Sequence, residues 1–90
     1  MKEQYEKYLY LQKQEANRKK WLYIDIVAKE LLDLYEVKDI KACCEAMLSM
    51  MLEGDCFLYK PKNLYSKKLT IRYYVDNLHV SRKKYKGEEK

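Results

Sequence analysis

Lysines are concentrated in residues 60–68, and a cluster of this kind has the chemistry to bind phosphate. This segment holds four lysines and no acidic residue. Pro61 and Asn63 favour a turn within it, so the lysines are expected on an exposed loop. Ammonium groups there can neutralise nucleic-acid phosphates and release their counterions. A lysine-rich loop is also often only a solvated turn, so the rest of the chain must decide between the two readings. We call residues 60–68 the basic loop.

Charge is distributed unevenly along the chain. Residues 1–55 contain nine Lys and Arg against eleven Asp and Glu, whereas residues 56–86 contain nine against one, and the whole chain has a formal net charge of +5. The positive potential is therefore expected on the basic loop and the C-terminal tail. The predicted phosphate contacts are Lys60, Lys62, Lys67, Lys68 and Arg72, with Arg82, Lys83, Lys84 and Lys86 in the tail. Asn63, Tyr65 and Ser66 at the tip of the loop are predicted to contact a groove or the backbone.

Two strands are predicted on either side of the basic loop. Residues 69–75 alternate between Leu69, Ile71, Tyr73 and Val75 on one face and polar or amphipathic residues on the other, the period of a half-buried strand. A shorter partner strand is predicted from Cys56 to Tyr59. The sequence thus predicts a two-stranded hairpin whose connection carries the lysines.

A helix is predicted immediately before this hairpin. Its apolar residues recur at the spacing of one helical face. They are Ile40, Cys43, Cys44, Met47, Leu48, Met51 and Leu52. Asp39 is the expected N-cap, and Gly54 is the expected left-handed residue at the C-terminal end. The solvent face of this helix should then present Lys38, Lys41, Ala42, Glu45 and Ser49.

Two further helices are predicted upstream. One runs from about Trp21 to Tyr35, with only residues 36–38 before the next helix, so the two should cross sharply. The other covers about residues 3–20 and has a thin apolar face formed by Tyr5, Tyr8, Leu9 and Ala16. Tyr10 and Leu11 lie outside that face, which suggests that the first helix packs partly against a second copy of the chain.

Three short motifs resemble those of winged helix-turn-helix regulators. Val27-Ala28-Lys29-Glu30-Leu31 is similar to the opening of the second helix in that family, and Val37-Lys38-Asp39-Ile40 is similar to the turn into the recognition helix. Met51-Leu52-Glu53-Gly54 resembles the segment that leads into the wing. The resemblance covers residues 22–75, but the turn lacks the family's glycine and the candidate recognition helix offers no Arg, Asn or Gln.

This resemblance implies an α+β fold with three helices followed by a two-stranded hairpin wing. The length predicts a single domain, which we place in residues 1–80, with residues 81–90 as a basic, flexible tail. The resemblance also implies a homodimer that binds double-stranded DNA at a repeated or palindromic site. The wing lysines should supply affinity, while Lys38, Lys41, Glu45, Ser49 and the tip of the wing should supply sequence choice.

Other chemistry finds little support in the sequence. Cys43, Cys44 and Cys56 are odd in number, and two of them lie on the predicted core face, which favours buried reduced thiols over a disulfide. A zinc site formed by these cysteines and His79 has no established ligand spacing. No phosphate-binding glycine loop or catalytic set is evident, so neither an enzyme, a cofactor nor a small-molecule ligand is predicted. No apolar run is long enough to cross a membrane and no signal peptide opens the chain, so a cytoplasmic location is expected.

Two functions from different classes agree with these features. One is a small transcriptional regulator of a mobile element, or an accessory factor that binds its origin of replication or of conjugative transfer. The other is a protein-protein interaction module, such as a phage-encoded inhibitor of a host protein. Tyrosine is enriched at interfaces, and Tyr5, Tyr8, Tyr10 and Tyr65 support the second reading.

Overall fold

Three helices and three strands make up residues 2–76, the part of the chain that the computed structural model describes. Their order is α1 (Lys2–Arg18), β1 (Tyr23–Val27), α2 (Ala28–Leu32), α3 (Ile40–Ser49), β2 (Cys56–Tyr59) and β3 (Thr70–Tyr74). Side chains from the helices and from the strands share one hydrophobic core. The fold is therefore α+β with three helices, as the sequence predicts.

The sheet has three antiparallel strands in the order β1-β3-β2, so the prediction of a two-stranded sheet is wrong. The additional strand, β1, pairs with β3 from Tyr23 opposite Tyr74 to Val27 opposite Thr70. The sequence places this segment in a helix because its apolar residues fit a helical period as well as a strand period. Ile24 and Ile26 are β-branched and pack against the core from one face of the strand. The predicted helix over residues 21–35 is reduced to the five residues of α2.

The predicted β2 and β3 strands are confirmed. Leu69, Ile71, Tyr73 and Val75 are all fully buried, which is the face that the alternation assigns to the core. Tyr73 also brings a hydroxyl into the interior, where it donates a hydrogen bond of 2.6 Å to the carbonyl oxygen of Met47. Buried polar groups are generally satisfied in this way, and the bond joins β3 to α3.

Helix α3 begins where the sequence predicts and ends earlier. Asp39 caps it, since its carboxylate accepts a hydrogen bond of 3.0 Å from the backbone N–H of Ala42. The helix ends at Ser49, and Gly54 adopts a positive φ of 97° in a separate turn. In that turn the N–H of Asp55 donates to the carbonyl oxygen of Leu52 at 3.0 Å. Glycine adopts this positive φ without steric cost, so Gly54 allows the tight turn that leads the chain into β2.

The prediction for Ala42 on α3 is wrong. The helical spacing predicts Ala42 on the solvent face, yet only 8% of its surface is exposed. The residues of α3 that are fully buried are Cys43, Cys44, Ala46 and Met47. The buried stripe of α3 is therefore wider than the sequence pattern indicates, and fewer positions remain for an external partner.

Helix α1 confirms the predicted first helix and explains its thin apolar face. Tyr5, Leu9 and Ala16 are buried, and Lys13 continues the same face with only 4% of its surface exposed. The ammonium group of Lys13 donates to the carbonyl oxygen of Met50 at 2.6 Å and lies 4.7 Å from the centroid of the Tyr73 ring. Lys13 thus occupies a position on the apolar face of α1. Its methylene chain packs in the core while its ammonium group is hydrogen-bonded.

The cysteines behave as predicted for Cys43 and Cys44, which are fully buried, while Cys56 is half-buried on β2. Within residues 2–76, no group of three or more His, Cys, Asp or Glu side chains is placed to hold a metal ion. His79, the fourth ligand considered for zinc, lies outside the described residues. None of the helices in residues 2–76 is both long and apolar enough to cross a membrane.

Thiol labelling of the native protein should distinguish these cysteines. Burial raises the pKa of the Cys43 thiol to about 12 and also raises the pKa of Cys44. The thiolate is the reactive form, so both should resist alkylation at about pH 8, where Cys56 should react first. Mass spectrometry of the labelled protein checks the order, and labelling of all three in denaturant provides the control. Equal native rates would show that α3 is not packed as described.

Candidate nucleic-acid interface

The second half of the basic loop is bonded to the two short helices. The N–H of Lys29 donates to the carbonyl oxygen of Lys67 at 3.0 Å, and the thiol of Cys44 donates to the carbonyl oxygen of Ser66 at 3.4 Å. The N–H of Ala28 also donates to the carbonyl oxygen of Leu69 at 2.9 Å. The loop is therefore held against the start of α2 and the middle of α3 rather than projecting freely.

A side-chain hydrogen bond joins the tip of the basic loop to the exposed side of α3. The hydroxyl of Tyr65 donates to a carboxylate oxygen of Glu45 at 3.2 Å. Partial burial and this hydrogen bond raise the pKa of Tyr65, so the phenol keeps its proton at neutral pH. Lys41 is exposed one helical turn before Glu45. The loop and α3 consequently form one continuous surface, which we call the loop–helix surface.

Five exposed lysines give this surface its charge. Lys41, Lys62, Lys67 and Lys68 are all exposed, and none of them forms an ion pair with another of residues 2–76. Lys60, at the start of the loop, lies with its ammonium group 5.1 Å from the centroid of the Phe57 ring. Cations that form no ion pair exert a stronger field on an approaching polyanion than paired ones. The surface can therefore bind a run of phosphates.

Polar side chains within the loop fix its shape. The side-chain oxygen of Asn63 accepts a hydrogen bond of 3.0 Å from the N–H of Tyr65, and the hydroxyl oxygen of Ser66 accepts one of 3.1 Å from the N–H of Lys68. These are local turns of the kind that Asn and Ser commonly form. Both residues therefore shape the predicted tip, and the amide nitrogen of Asn63 projects from an exposed side chain.

Arg72 lies apart from the loop–helix surface. It is on the face of the sheet opposite Ile71 and Tyr73, where its guanidinium donates to both carboxylate oxygens of Asp25, at 2.8 and 3.1 Å. The hydrogen bonds to Asp25 raise the pKa of Arg72, and the guanidinium lies 3.9 Å from the centroid of the Tyr23 ring. Its charge is thus already balanced within the sheet.

Two residues predicted on the recognition helix are engaged in structural contacts. The hydroxyl of Ser49 donates to a carboxylate oxygen of Glu6 at 2.5 Å, which places it at the contact between α1 and α3. The ammonium group of Lys38 donates to the carbonyl oxygens of Tyr35 and Leu32, at 2.7 and 3.1 Å, and so closes the connection between α2 and α3. The predicted tail contacts Arg82, Lys83, Lys84 and Lys86 lie outside the described residues.

Lys29 is a further basic residue near this surface. Its backbone N–H is hydrogen-bonded to Lys67 of the basic loop. Its ammonium group forms an ion pair of 3.3 Å with Asp33, four residues later in the sequence. No pattern in the sequence marks it, because its proximity to Lys67 depends on how the loop folds back. An exposed pair of this kind contributes little stability and can open when a phosphate approaches.

No family model, curated protein or solved structure matches this chain.

Proposed function

We propose that the chain is a winged helix-turn-helix protein that binds double-stranded DNA. The observation that carries the proposal is the loop–helix surface, which has exposed lysines on the basic loop and, at Lys41, on α3. Two consecutive helices followed by a hairpin with a basic connection are the parts that such a module needs. Strand β1 pairs with β3 on the side away from β2, so the β2–β3 hairpin still follows the two helices.

The dimensions of α3 suit a groove of DNA. Its ten residues span about 15 Å, and the major groove of B-DNA is about 12 Å wide and admits one helix. With α3 at the groove, Lys62, Lys67 and Lys68 contact the phosphates that flank it. Phosphate contacts of this kind supply affinity and orientation without reading sequence. The protein would act by binding alone, with no chemical step and no cofactor.

The particular role proposed is that of a small regulator of a mobile element, or of an origin-binding accessory factor in its replication or conjugative transfer. Such a role is served by a homodimer whose two loop–helix surfaces lie about one helical turn, or 34 Å, apart on the DNA. Exposed Tyr10 and Leu11 on α1 support contact with a second copy, since 54% and 51% of their surfaces are accessible. A DNA-bound factor of this kind works in the cytoplasm.

The salt dependence of binding tests the proposal. Fluorescence anisotropy with a labelled random duplex and an AT-rich repeat duplex, at about 50 and about 200 mM salt, should show affinity that falls at least tenfold at the higher salt. Each phosphate contact should contribute roughly −0.9 to the slope of log affinity against log salt concentration, because binding releases counterions. A preference for one duplex would indicate a cognate site.

Absence of binding at the lower salt would contradict the DNA proposal and favour the protein-interaction module instead. Aromatic residues outside the loop–helix surface support that second candidate. Tyr10 on α1 and Trp21 before β1 have about half of their surfaces exposed, at 54% and 50%. Exposed tyrosine and tryptophan are typical of protein interfaces.

A further inference from the structure

Glu45 is the one acidic side chain of the loop–helix surface. It lies on α3 between Lys41, one turn earlier, and the tip of the basic loop. A carboxylate that faces DNA is repelled by the phosphates, so its presence there weakens binding unless a base donates a hydrogen bond to it. The lysines give affinity without this residue, which suggests that Glu45 serves selection rather than attraction.

We infer that Glu45 selects cytosine in the major groove and that Tyr65 positions it. This inference rests on the proposed DNA-binding function. Cytosine presents an N4 amino donor in the major groove, whereas guanine and thymine present acceptors that repel a carboxylate. Adenine presents a donor beside an acceptor, so it is a poorer partner for a carboxylate than cytosine.

The contacts around Glu45 leave one oxygen for a base. Oε2 accepts the hydroxyl of Tyr65 at 3.2 Å, and within residues 2–76 no hydrogen bond or ion pair engages Oε1. Tyr65 is itself held by the turn in which Asn63 accepts its N–H at 3.0 Å. The turn at Asn63 thus holds the backbone of Tyr65 beside α3, and the Tyr65 hydroxyl orients the carboxylate. A side chain oriented before binding loses less conformational freedom when it meets its base.

The substitution Glu45→Gln separates a reading role from a structural one. Glutamine keeps an oxygen that accepts the Tyr65 hydroxyl, so the contact between loop and helix is retained. It adds an amide donor, and Gln pairs in bidentate fashion with adenine. Selection of bound duplexes from a random pool should show that the preference at one base pair moves from C·G to A·T. The ratio of affinities at that pair, measured by anisotropy, should change roughly 5- to 150-fold.

The substitution Tyr65→Phe tests whether the Tyr65 hydroxyl positions the carboxylate of Glu45. Removal of the hydroxyl should weaken the discrimination between C·G and T·A at the same base pair, because the carboxylate of Glu45 loses the hydrogen bond that orients it. Glu15→Gln is the matched control. It makes the same change of charge near the end of α1, by the Tyr23 end of β1, where the sheet is farthest from the basic loop.

The outcomes separate the two proposals. If wild-type protein binds no duplex, the proposed function and this inference both fail. If wild-type protein binds duplex and Glu45→Gln leaves the base preference unchanged, the proposed function stands and the inference is overturned. A change of preference in Glu45→Gln that is absent in Glu15→Gln supports the inference.

Discussion

Replacing Lys62, Lys67 and Lys68 together by alanine should lower the affinity for random duplex DNA about 100-fold or more at about 0.1 M salt. All three side chains are exposed, and none has an acidic partner among residues 2–76. If each contacts one phosphate, the triple variant releases three fewer counterions, and the slope of log affinity against log salt should decrease by roughly 2.7. Anisotropy titrations at several salt concentrations measure both quantities.

A matched triple variant controls for total charge. Replacing Lys7, Lys19 and Lys20 by alanine removes the same three charges from α1 and the turn that follows it. Lys19 and Lys20 lie near the end of the sheet where Tyr23 pairs with Tyr74, whereas the basic loop adjoins Thr70. The control should retain most of its affinity and its salt slope. Equal losses in the two variants would mean that binding follows net charge alone and not the loop–helix surface.

Replacing Asp55 by alanine should lower the free energy of unfolding by about 3 kcal/mol or more. Its side chain is buried, with 3% of its surface exposed. One carboxylate oxygen accepts from the N–H of Leu52 and the other from the N–H of Tyr74, both at 2.8 Å. Alanine would leave both backbone donors without their partner in the interior, and each such loss costs about 1–3 kcal/mol.

Urea unfolding followed by circular dichroism measures this effect, with Asp33→Ala as the control. Asp33 is exposed, and among residues 2–76 its carboxylate forms an ion pair with Lys29 alone, at 3.3 Å. Its loss should therefore change stability by less than about 1 kcal/mol. The loss of unfolding free energy in Asp55→Asn should lie between the losses in these two variants. The amide keeps one acceptor oxygen, whereas the carboxylate offers one to each of the two backbone donors. An Asp55→Ala protein as stable as the Asp33→Ala control would show that the 52–55 turn is not anchored to β3.

The sequence by itself determined the elements whose patterns have a single interpretation. The alternation from Leu69 to Val75 fits a strand and no helix, and the structure buries that face completely. Asp39 before an apolar helical stripe marks the start of α3, because a carboxylate at this position satisfies a free backbone N–H. The exposed lysines of the basic loop also followed from local composition, since such a segment cannot be buried.

The tertiary structure alone decided the features that depend on distant partners. Residues 23–27 fit a helix and a strand equally well, and pairing with β3, more than forty residues later, selected the strand. The ammonium group of buried Lys13 donates to the carbonyl oxygen of Met50 and faces the ring of Tyr73, and Arg72 is paired with Asp25 on the neighbouring strand. The contact of Tyr65 with Glu45 likewise spans 20 residues. Local patterns report the preferences of the backbone, whereas these contacts depend on which segments the hydrophobic core brings together.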